Sequence, residues 1–135
     1  MPTSFLEKSK ESLESARFLI EEGKNNSSIH CAYYSCIQVI RHVLLHVHKK
    51  TEARIKAESR AFPGGSHEYL IDCIVQDLNK KGYNTVKLYA NLYLLKRMRT
   101  EADYFDIIVI PVNSKRAFRV ADMTRNELIT QYNIQ

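Results

Sequence analysis

An arginine occupies a position at which the surrounding helical pattern predicts an apolar side chain. Counting back from Arg99 in steps of three and four residues reaches Leu95, Leu92 and Leu88, so these side chains share one face of a predicted helix. A guanidinium keeps its charge at physiological pH, and leaving it unpaired away from water would cost several kcal/mol. We therefore expect a polar or anionic group beside it. Asp103, one helical turn further on, is the nearest candidate.

Other residue types that could do chemistry form weaker patterns. His42 and His46 have the i,i+4 spacing that can chelate zinc, but the sequence suggests no third ligand, and we predict no metal site. Cys31, Cys36 and Cys73 are an odd number, form no CxxC pair and lie in apolar helical patterns. This usage is typical of reduced core thiols rather than of a disulfide framework.

Composition bounds the class of protein. A chain of 135 residues is long enough for one core and too short for two, so we expect a single domain over residues 1–135. The content of 44% hydrophobic and 26% charged residues is ordinary for a globular protein. There is no long apolar run and no signal-peptide pattern, so we expect a cytoplasmic protein without a membrane partner. The net charge of +5 is compatible with polyanion binding but does not require it.

The elements that position Arg99 are predicted from turn residues and apolar periodicity. We expect an all-α, antiparallel bundle of four long helices plus a C-terminal helix. The predicted helices run from Ser4 to Gly23, from Ile29 to Val47, from Ser66 to Gly82, from Asn84 past Arg99, and from Ser114 onward.

Two further segments are predicted to lie outside these helices. The charged stretch from Lys49 to Arg60 is expected to be solvated, either as a continuation of the second helix or as a mobile segment. Ile107 to Val112 is apolar and β-branched but contains Pro111, and we expect it to pack as an extended connector rather than as a strand.

Several of these motifs, in this order, resemble the HEPN (higher eukaryotes and prokaryotes nucleotide-binding) domains. The apolar first helix before Gly23 and the run Ala32–Cys36 at the start of the second stripe are similar to the first two helices of that family. His67, which follows a glycine loop, resembles a further family signature. The segment Arg99–Tyr104 resembles the R-x-x-A-D-Y helix end. The resemblance extends over most of the chain, from Ser4 to Tyr104.

The resemblance implies a small helical bundle that forms a homodimer, with the fourth helix of each protomer near the two-fold axis. Many relatives are metal-independent ribonucleases, including toxins of toxin-antitoxin pairs, in which an arginine is followed after four to six residues by a histidine. In this chain the corresponding positions after Arg99 hold Tyr104, Phe105 and Asp106, and those after Arg97 hold no histidine either. We therefore expect no catalysis.

Metal-independent cleavage of RNA would need a proton acceptor, a proton donor and a cation beside the phosphorane. Arg99 could supply the cation. Tyr104, with an ordinary phenol pKa near 10, is a poor base at neutral pH but can donate a proton. His67 titrates near neutrality and is supported by the resemblance, so it is the candidate base or acid if the fold brings it to Arg99.

For binding, the candidate residues are those that could hold an anion or stack on a base. We predict Arg99, Asp103, Tyr104, Arg97, Tyr33 and Tyr34 for this role. The tyrosines at helical spacing are also explained by packing in the core or at a dimer contact. The lysines and arginines elsewhere in the second half are spread out, and such charges are commonly just solvated.

Three hypotheses follow. The first is a dimeric, HEPN-like module that binds a nucleotide, RNA or a partner protein without cofactors or catalysis, in the setting of a toxin-antitoxin or defence system. The second is a metal-independent endoribonuclease that uses Arg99 with His67 or Tyr104 and is controlled by a nucleotidyltransferase-like antitoxin. The third is a helical scaffold in which Arg99 and Asp103 form a simple i,i+4 ion pair, contributing about 0.5 kcal/mol if exposed.

Overall fold

The computed structural model describes residues 4–134, and within that range every regular element is a helix. The six α-helices are α1 (Ser4–Glu21), α2 (Asn25–His42), α3 (Glu52–Ala61), α4 (Ser66–Lys80), α5 (Val86–Tyr104) and α6 (Pro111–Gln131). A π-helical turn, Val43–Val47, continues α2. The prediction of an all-helical chain is confirmed, and α3 is an addition to the predicted set.

Side-chain contacts give the relative directions of the helices that pack on α2. Ser9 of α1 donates to the carbonyl of Ser35 at 2.6 Å, and Ser28 donates to the carbonyl of Ala16 at 2.7 Å, so α1 and α2 are antiparallel. The α5 helix is also antiparallel to α2, because its C-terminal end meets the beginning of α2.

The last helix runs parallel to α2. Ser114, near the start of α6, donates to Asn25 at the start of α2, and the thiol of Cys36 points to the carbonyl of Ala121 further along. Helices α1, α2, α5 and α6 therefore form an up-and-down arrangement with α2 in extensive contact with the other three. The pair α3–α4 packs at its side. The predicted C-terminal helix is thus a full member of the bundle.

The core is centred on α2 and on the leucine stripe of α5. Tyr33 and Ile37 of α2 are buried, and Leu88, Leu92 and Leu95 of α5 are all at most 1% exposed. This confirms the predicted stripe. Arg99 continues the stripe into the boundary of the core, as the periodicity indicated.

The two segments predicted outside the helices differ from expectation. Part of the charged stretch forms α3, whose first turn is capped by Thr51 and which buries only Ile55. The extended connector ends at Ile110, because Pro111 suits the first turn of a helix and begins α6 earlier than the predicted Ser114. Residues 107–110 form no strand, as predicted, but only Val109 is buried and Ile108 is 88% exposed, so most of this connector does not pack against the core.

The structure also bears on the expectations about membrane-spanning helices and cysteine pairing. No helix within residues 4–134 is long and apolar enough to cross a membrane. All three cysteines are free thiols, with Cys36 buried and Cys31 and Cys73 half-buried.

Candidate functional site

Arg99 lies among tyrosine rings between α2 and α5. Its guanidinium carbon is 5.3 Å from the ring centres of Tyr34 and Tyr104 and 5.9 Å from that of Tyr33. Only 15% of the Arg99 side chain is exposed. The faces of aromatic rings attract a cation, most strongly where water is partly excluded. The rings therefore help to hold the charge that the leucine stripe alone could not accommodate.

The hydrogen bonds of Arg99 leave part of its guanidinium unused. Nη2 donates to the hydroxyls of Tyr34 at 3.2 Å and Tyr104 at 3.4 Å. Nε lies 2.9 Å from Oδ2 of Asp103, which makes an ion pair, but its N–H is not aligned with that oxygen and has no hydrogen-bond partner. Nη1 makes no hydrogen bond within residues 4–134. Unlike Nε, it retains some exposure to solvent, so its N–H groups can donate to an added acceptor.

Asp103 connects Arg99 to a histidine on α2. Its Oδ2 atom is 2.7 Å from Nδ1 of His30, and the imidazole of His30 stacks on Tyr34 with ring centres 4.6 Å apart. His30 was not among the residues predicted from the sequence. Its position four residues before Tyr34 puts it on the same helix face, which is the one local signal available.

His67 reaches the same pair of tyrosines from α4. Its ring centre is 5.5 Å from those of both Tyr33 and Tyr34, and its Nδ1 atom is 3.0 Å from the Tyr33 hydroxyl. The turn before it favours glycine, because Gly64 has a φ of 101°, a conformation that residues with a side chain rarely adopt. We call His30, Tyr33, Tyr34, His67, Arg99, Asp103 and Tyr104 the Arg99 cluster.

The protonation of His67 follows from its surroundings. Burial, together with the positive charges of Arg99, Arg41 and Lys96, lowers the pKa of His67 to about 4, so the ring is neutral at pH 7. Burial raises the pKa of Tyr33, which keeps its hydroxyl protonated.

The tautomer of His67 is assigned from its hydrogen bond to Tyr33. Tyr33 is fully buried, and Nδ1 of His67 is the acceptor within reach of its hydroxyl. If Nδ1 carried the proton instead, the buried hydroxyl hydrogen would lack an acceptor, at a cost of about 1–3 kcal/mol. Tyr33 therefore donates to Nδ1, and the proton of the neutral ring is on Nε2. His67 in this state offers a hydrogen-bond donor at Nε2 rather than a base.

Asn26 positions the end of α5 that carries the cluster. Its side-chain amide donates to the carbonyls of Ala102 at 3.0 Å and Ile107 at 3.1 Å, and its oxygen accepts from the backbone N–H of Val109 at 3.0 Å. The contacts bridge more than 70 positions along the chain, so no local pattern could reveal them.

Arg97 lies apart from the Arg99 cluster. Its side chain is 70% exposed, and its nearest carboxylate is that of Glu101 at 4.0 Å. It lines a separate cleft of about 320 Å³ with Arg116 and the connector before α6. Of the six predicted binding residues, Arg97 is the one that the structure does not bring to the others.

The surface that follows the cluster is strongly apolar. Tyr104 is 71% exposed, and the next residues include Phe105 at 59%, Ile108 at 88% and Ile110 at 56%. Contiguous exposed apolar side chains of this kind are typical of an interaction surface. This surface begins beside the Arg99 cluster at Tyr104, but Ile108 and Ile110 line the separate cleft that contains Arg97, so it extends away from the cluster.

The histidine pair with zinc-like spacing is a separate feature. The rings of His42 and His46 have centres 4.9 Å apart, with His42 buried and His46 exposed. Within residues 4–134 no group of three or more histidine, cysteine or acidic side chains is arranged to hold a metal ion.

No protein-family model, curated protein or solved structure matches this chain. The chemistry of the Arg99 cluster is therefore the basis for inferring function. It combines an arginine with unused donors, exposed aromatic rings at its edge and a neutral histidine that is already hydrogen-bonded at one nitrogen. Such a set can bind an anion and stack on a planar group.

Proposed function

We propose that this protein is a dimeric module that binds single-stranded RNA at the Arg99 cluster without cleaving it. The observation that carries the proposal is the guanidinium of Arg99, which aromatic rings and Asp103 hold in place while Nη1 makes no hydrogen bond within residues 4–134. A preorganised arginine with an open edge is suited to a phosphodiester oxygen, because its planar donors match phosphate geometry.

The aromatic residues support RNA rather than a simple anion as the ligand. The side chain of Tyr104 is 71% exposed, and that of His30 is 43% exposed beside Tyr34. Exposed rings next to a phosphate-binding cation allow bases to stack while the backbone is held. The net charge of +5 favours the approach of a polyanion.

The absence of cleavage is inferred from the protonation of His67. Transfer of the 2′-hydroxyl proton requires an acceptor near the phosphate. Tyr33 occupies Nδ1 of His67, and Nε2 carries the proton. A metal-independent ribonuclease remains the second candidate, because Arg99 and His67 contact the same two tyrosines.

The homodimer is proposed from the exposed apolar surface that begins at Tyr104, together with the resemblance to HEPN domains. Phe105, Ile108 and Ile110 are each more than half exposed, and a second copy of the chain could cover them. Sedimentation equilibrium should then give twice the monomer mass. The substitution Ile108→Glu, which introduces a negative charge, should shift the protein to the monomer, since a buried unpaired carboxylate is costly. A wild-type monomer at concentrations above about 100 μM would refute the dimer, because even weak specific dimers have dissociation constants in that range.

The test of the site is fluorescence anisotropy with a labelled oligoadenylate in EDTA, using wild type and Arg99→Gln. Loss of charge-assisted hydrogen bonds is worth about 1.5–3 kcal/mol, so Kd should rise about 10-fold to 100-fold. The matched control is Arg97→Gln, on the same helix but outside the cluster, which removes the same charge and should change Kd much less. A denaturing gel of the same samples should show intact RNA.

The other outcomes identify the alternatives. Cleavage that requires Arg99 would establish the ribonuclease. Equal weakening by Arg97→Gln and Arg99→Gln would mean that only diffuse charge attracts RNA and would refute the site. Wild type that is folded and dimeric but does not bind RNA would refute the RNA-binding function and leave a protein partner or a scaffold role. Thermal unfolding of each variant checks that the fold is retained.

A further inference from the structure

A second cleft lies next to the Arg99 cluster, between α2, α3 and α4. Its volume is about 380 Å³, within the range of small-molecule sites. The buried side chains of Ile55 and Leu70 form an apolar part of its wall. We call this cleft, which is also lined by Arg41 and Lys56, the Arg41 cleft.

The two basic residues of the Arg41 cleft are not neutralised by the chain. Within residues 4–134, neither Arg41 nor Lys56 has a carboxylate within 4.0 Å, whereas the nearby Lys50 and Arg54 are both paired with Glu58. Glu52 is the acidic residue in the lining. The cleft therefore has an excess of positive charge beside an apolar wall, which is the combination that a nucleotide's phosphate and base require.

A hydroxyl donor adds to these cations. Ser66, the first residue of α4, lines the same cleft, whereas the hydroxyl of Ser59 already donates to the carbonyl of Lys56. The N-cap residue Gly65 brings no side chain to the first turn, so backbone N–H groups there remain available to an acceptor. The cleft and its unpaired cations carry the assignment, and the helix end supplements them.

His67 links the Arg41 cleft to the Arg99 cluster. It follows Ser66 in the first turn of α4, and the positive charges of both Arg41 and Arg99 act on its imidazole. A single strand that placed one phosphate at Arg99 would thus have a second cationic site nearby. We propose that the Arg41 cleft is a second anion site, which takes the phosphate and base of a neighbouring nucleotide on the RNA strand held at Arg99. This assignment extends the proposed RNA-binding function.

The first experiment uses adenosine 5′-monophosphate as the probe and ¹H–¹⁵N NMR spectra of the ¹⁵N-labelled wild-type protein as the readout. The amides of α3 and of the first turn of α4 should shift on titration, and adenosine without phosphate should shift them much less. The double variant Arg41→Gln/Lys56→Gln should lose the response. The matched control is Lys115→Gln/Arg116→Gln, which removes the same charge on α6 and should keep it.

The second experiment separates failure of this assignment from failure of the RNA-binding function. Wild type should bind oligoadenylates more tightly as their length increases from two to eight nucleotides. The Arg41→Gln/Lys56→Gln variant should bind the eight-nucleotide oligoadenylate about 10-fold more weakly, with little change for the dinucleotide. The dependence of its log affinity on log salt concentration should fall by about 1–2. Lys56→Glu should give a similar loss, and because Lys56 is exposed this variant should still fold, which thermal unfolding checks.

Unchanged octamer affinity in these variants, with Arg99→Gln still defective, would overturn the second site and leave the RNA-binding function intact. Absence of nucleotide-induced shifts in α3 and α4 of the wild type would also overturn it. Shifts that the control double variant loses equally would mean diffuse charge attraction and would refute the site. If AMP binds in the cleft but RNA does not bind at Arg99, the cleft is an independent nucleotide site and the proposed function is wrong.

Discussion

Two polar clusters in this protein have similar residue types but differ in how many of their hydrogen-bonding groups have partners. In the Glu58 cluster, between α3 and α4, the carboxylate of Glu58 accepts from Lys50, Arg54 and Tyr69. In the Arg99 cluster, the guanidinium keeps Nη1 without a partner within residues 4–134, and Nε is misaligned with Asp103. The first arrangement uses its charges to join two helices. The second retains donors for an additional group.

The electrostatic consequences are also opposite. Hydrogen bonds from Tyr69, Arg54 and Lys50 lower the pKa of Glu58 to about 2, because they stabilise its charged form. In the Arg99 cluster, burial and the nearby positive charges of Arg99, Arg41 and Lys96 instead lower the pKa of His67 and keep it neutral. A saturated ion-pair network is therefore typical of a structural contact, whereas a half-buried histidine with a strongly shifted pKa beside a cation is typical of a functional site.

The largest expected effect is a difference between the two arginines in RNA binding. Arg99→Gln should raise the Kd for oligoadenylate about 10-fold to 100-fold, while Arg54→Gln should leave it nearly unchanged, because Arg54 is already paired with Glu58. Anisotropy titrations at one salt concentration provide the comparison. Similar losses in both variants would remove the distinction between the clusters.

The converse difference should appear in stability. Glu58→Gln removes the charged acceptor of three donors and leaves Lys50 half-buried without its partner. Because Glu58 is partly exposed, we expect a loss of about 1–2 kcal/mol in the free energy of unfolding, with RNA affinity unchanged. Urea denaturation measures the loss. A variant as stable as wild type would show that the network does not hold α3 on α4.

The two clusters should lose stability in different pH windows. The pKa of His67 falls from 6.5 to about 4 on folding, so the unfolded chain binds more protons between these values and stability declines as the pH drops through them. For Glu58 the pKa falls from 4.5 to about 2, and its contribution is lost as the pH drops through that lower window.

Chemical denaturation across pH 2–8 can resolve these contributions when each variant is compared with wild type. His67→Asn, which keeps an acceptor for Tyr33, should reduce the pH dependence of the free energy of unfolding in the upper window only. Glu58→Gln should reduce it in the lower window only. The comparison with wild type is needed because His42 and Asp77 also have lowered pKa values. If neither variant changed the pH dependence of the free energy of unfolding, the assignment of the two windows to His67 and Glu58 would be wrong.

The smallest effect is expected for the hydroxyl of Tyr104. Its contact with Nη2 of Arg99 is long, at 3.4 Å, and lies at an exposed position. Tyr104→Phe should therefore change RNA affinity by no more than about 2-fold to 3-fold, since a long hydrogen bond at a solvent-exposed position contributes little. Tyr104→Ala, which also removes the ring, should weaken binding further. Equal effects of the two variants would assign the contribution to the hydroxyl and not to stacking.

Local patterns predicted the helices better than the connections between them. The leucine stripe and Gly82 located α5, because periodicity and helix-ending residues act within a few positions. The separate helix α3 was not predicted, because Ile55 is its one large apolar residue and it has no apolar stripe. The cap at Thr51 was the signal available for it.

Within the candidate site, the sequence by itself determined that Arg99 lies at the edge of the core, one turn before Asp103, because both positions follow from helical spacing. Only the tertiary structure decided that His30 contacts Asp103, 73 residues away, and that Tyr33 bonds to His67, 34 residues away. Those pairs depend on how α2 packs against α5 and α4. Packing of that kind depends on the shapes of whole helix faces and leaves no periodic signal in the chain.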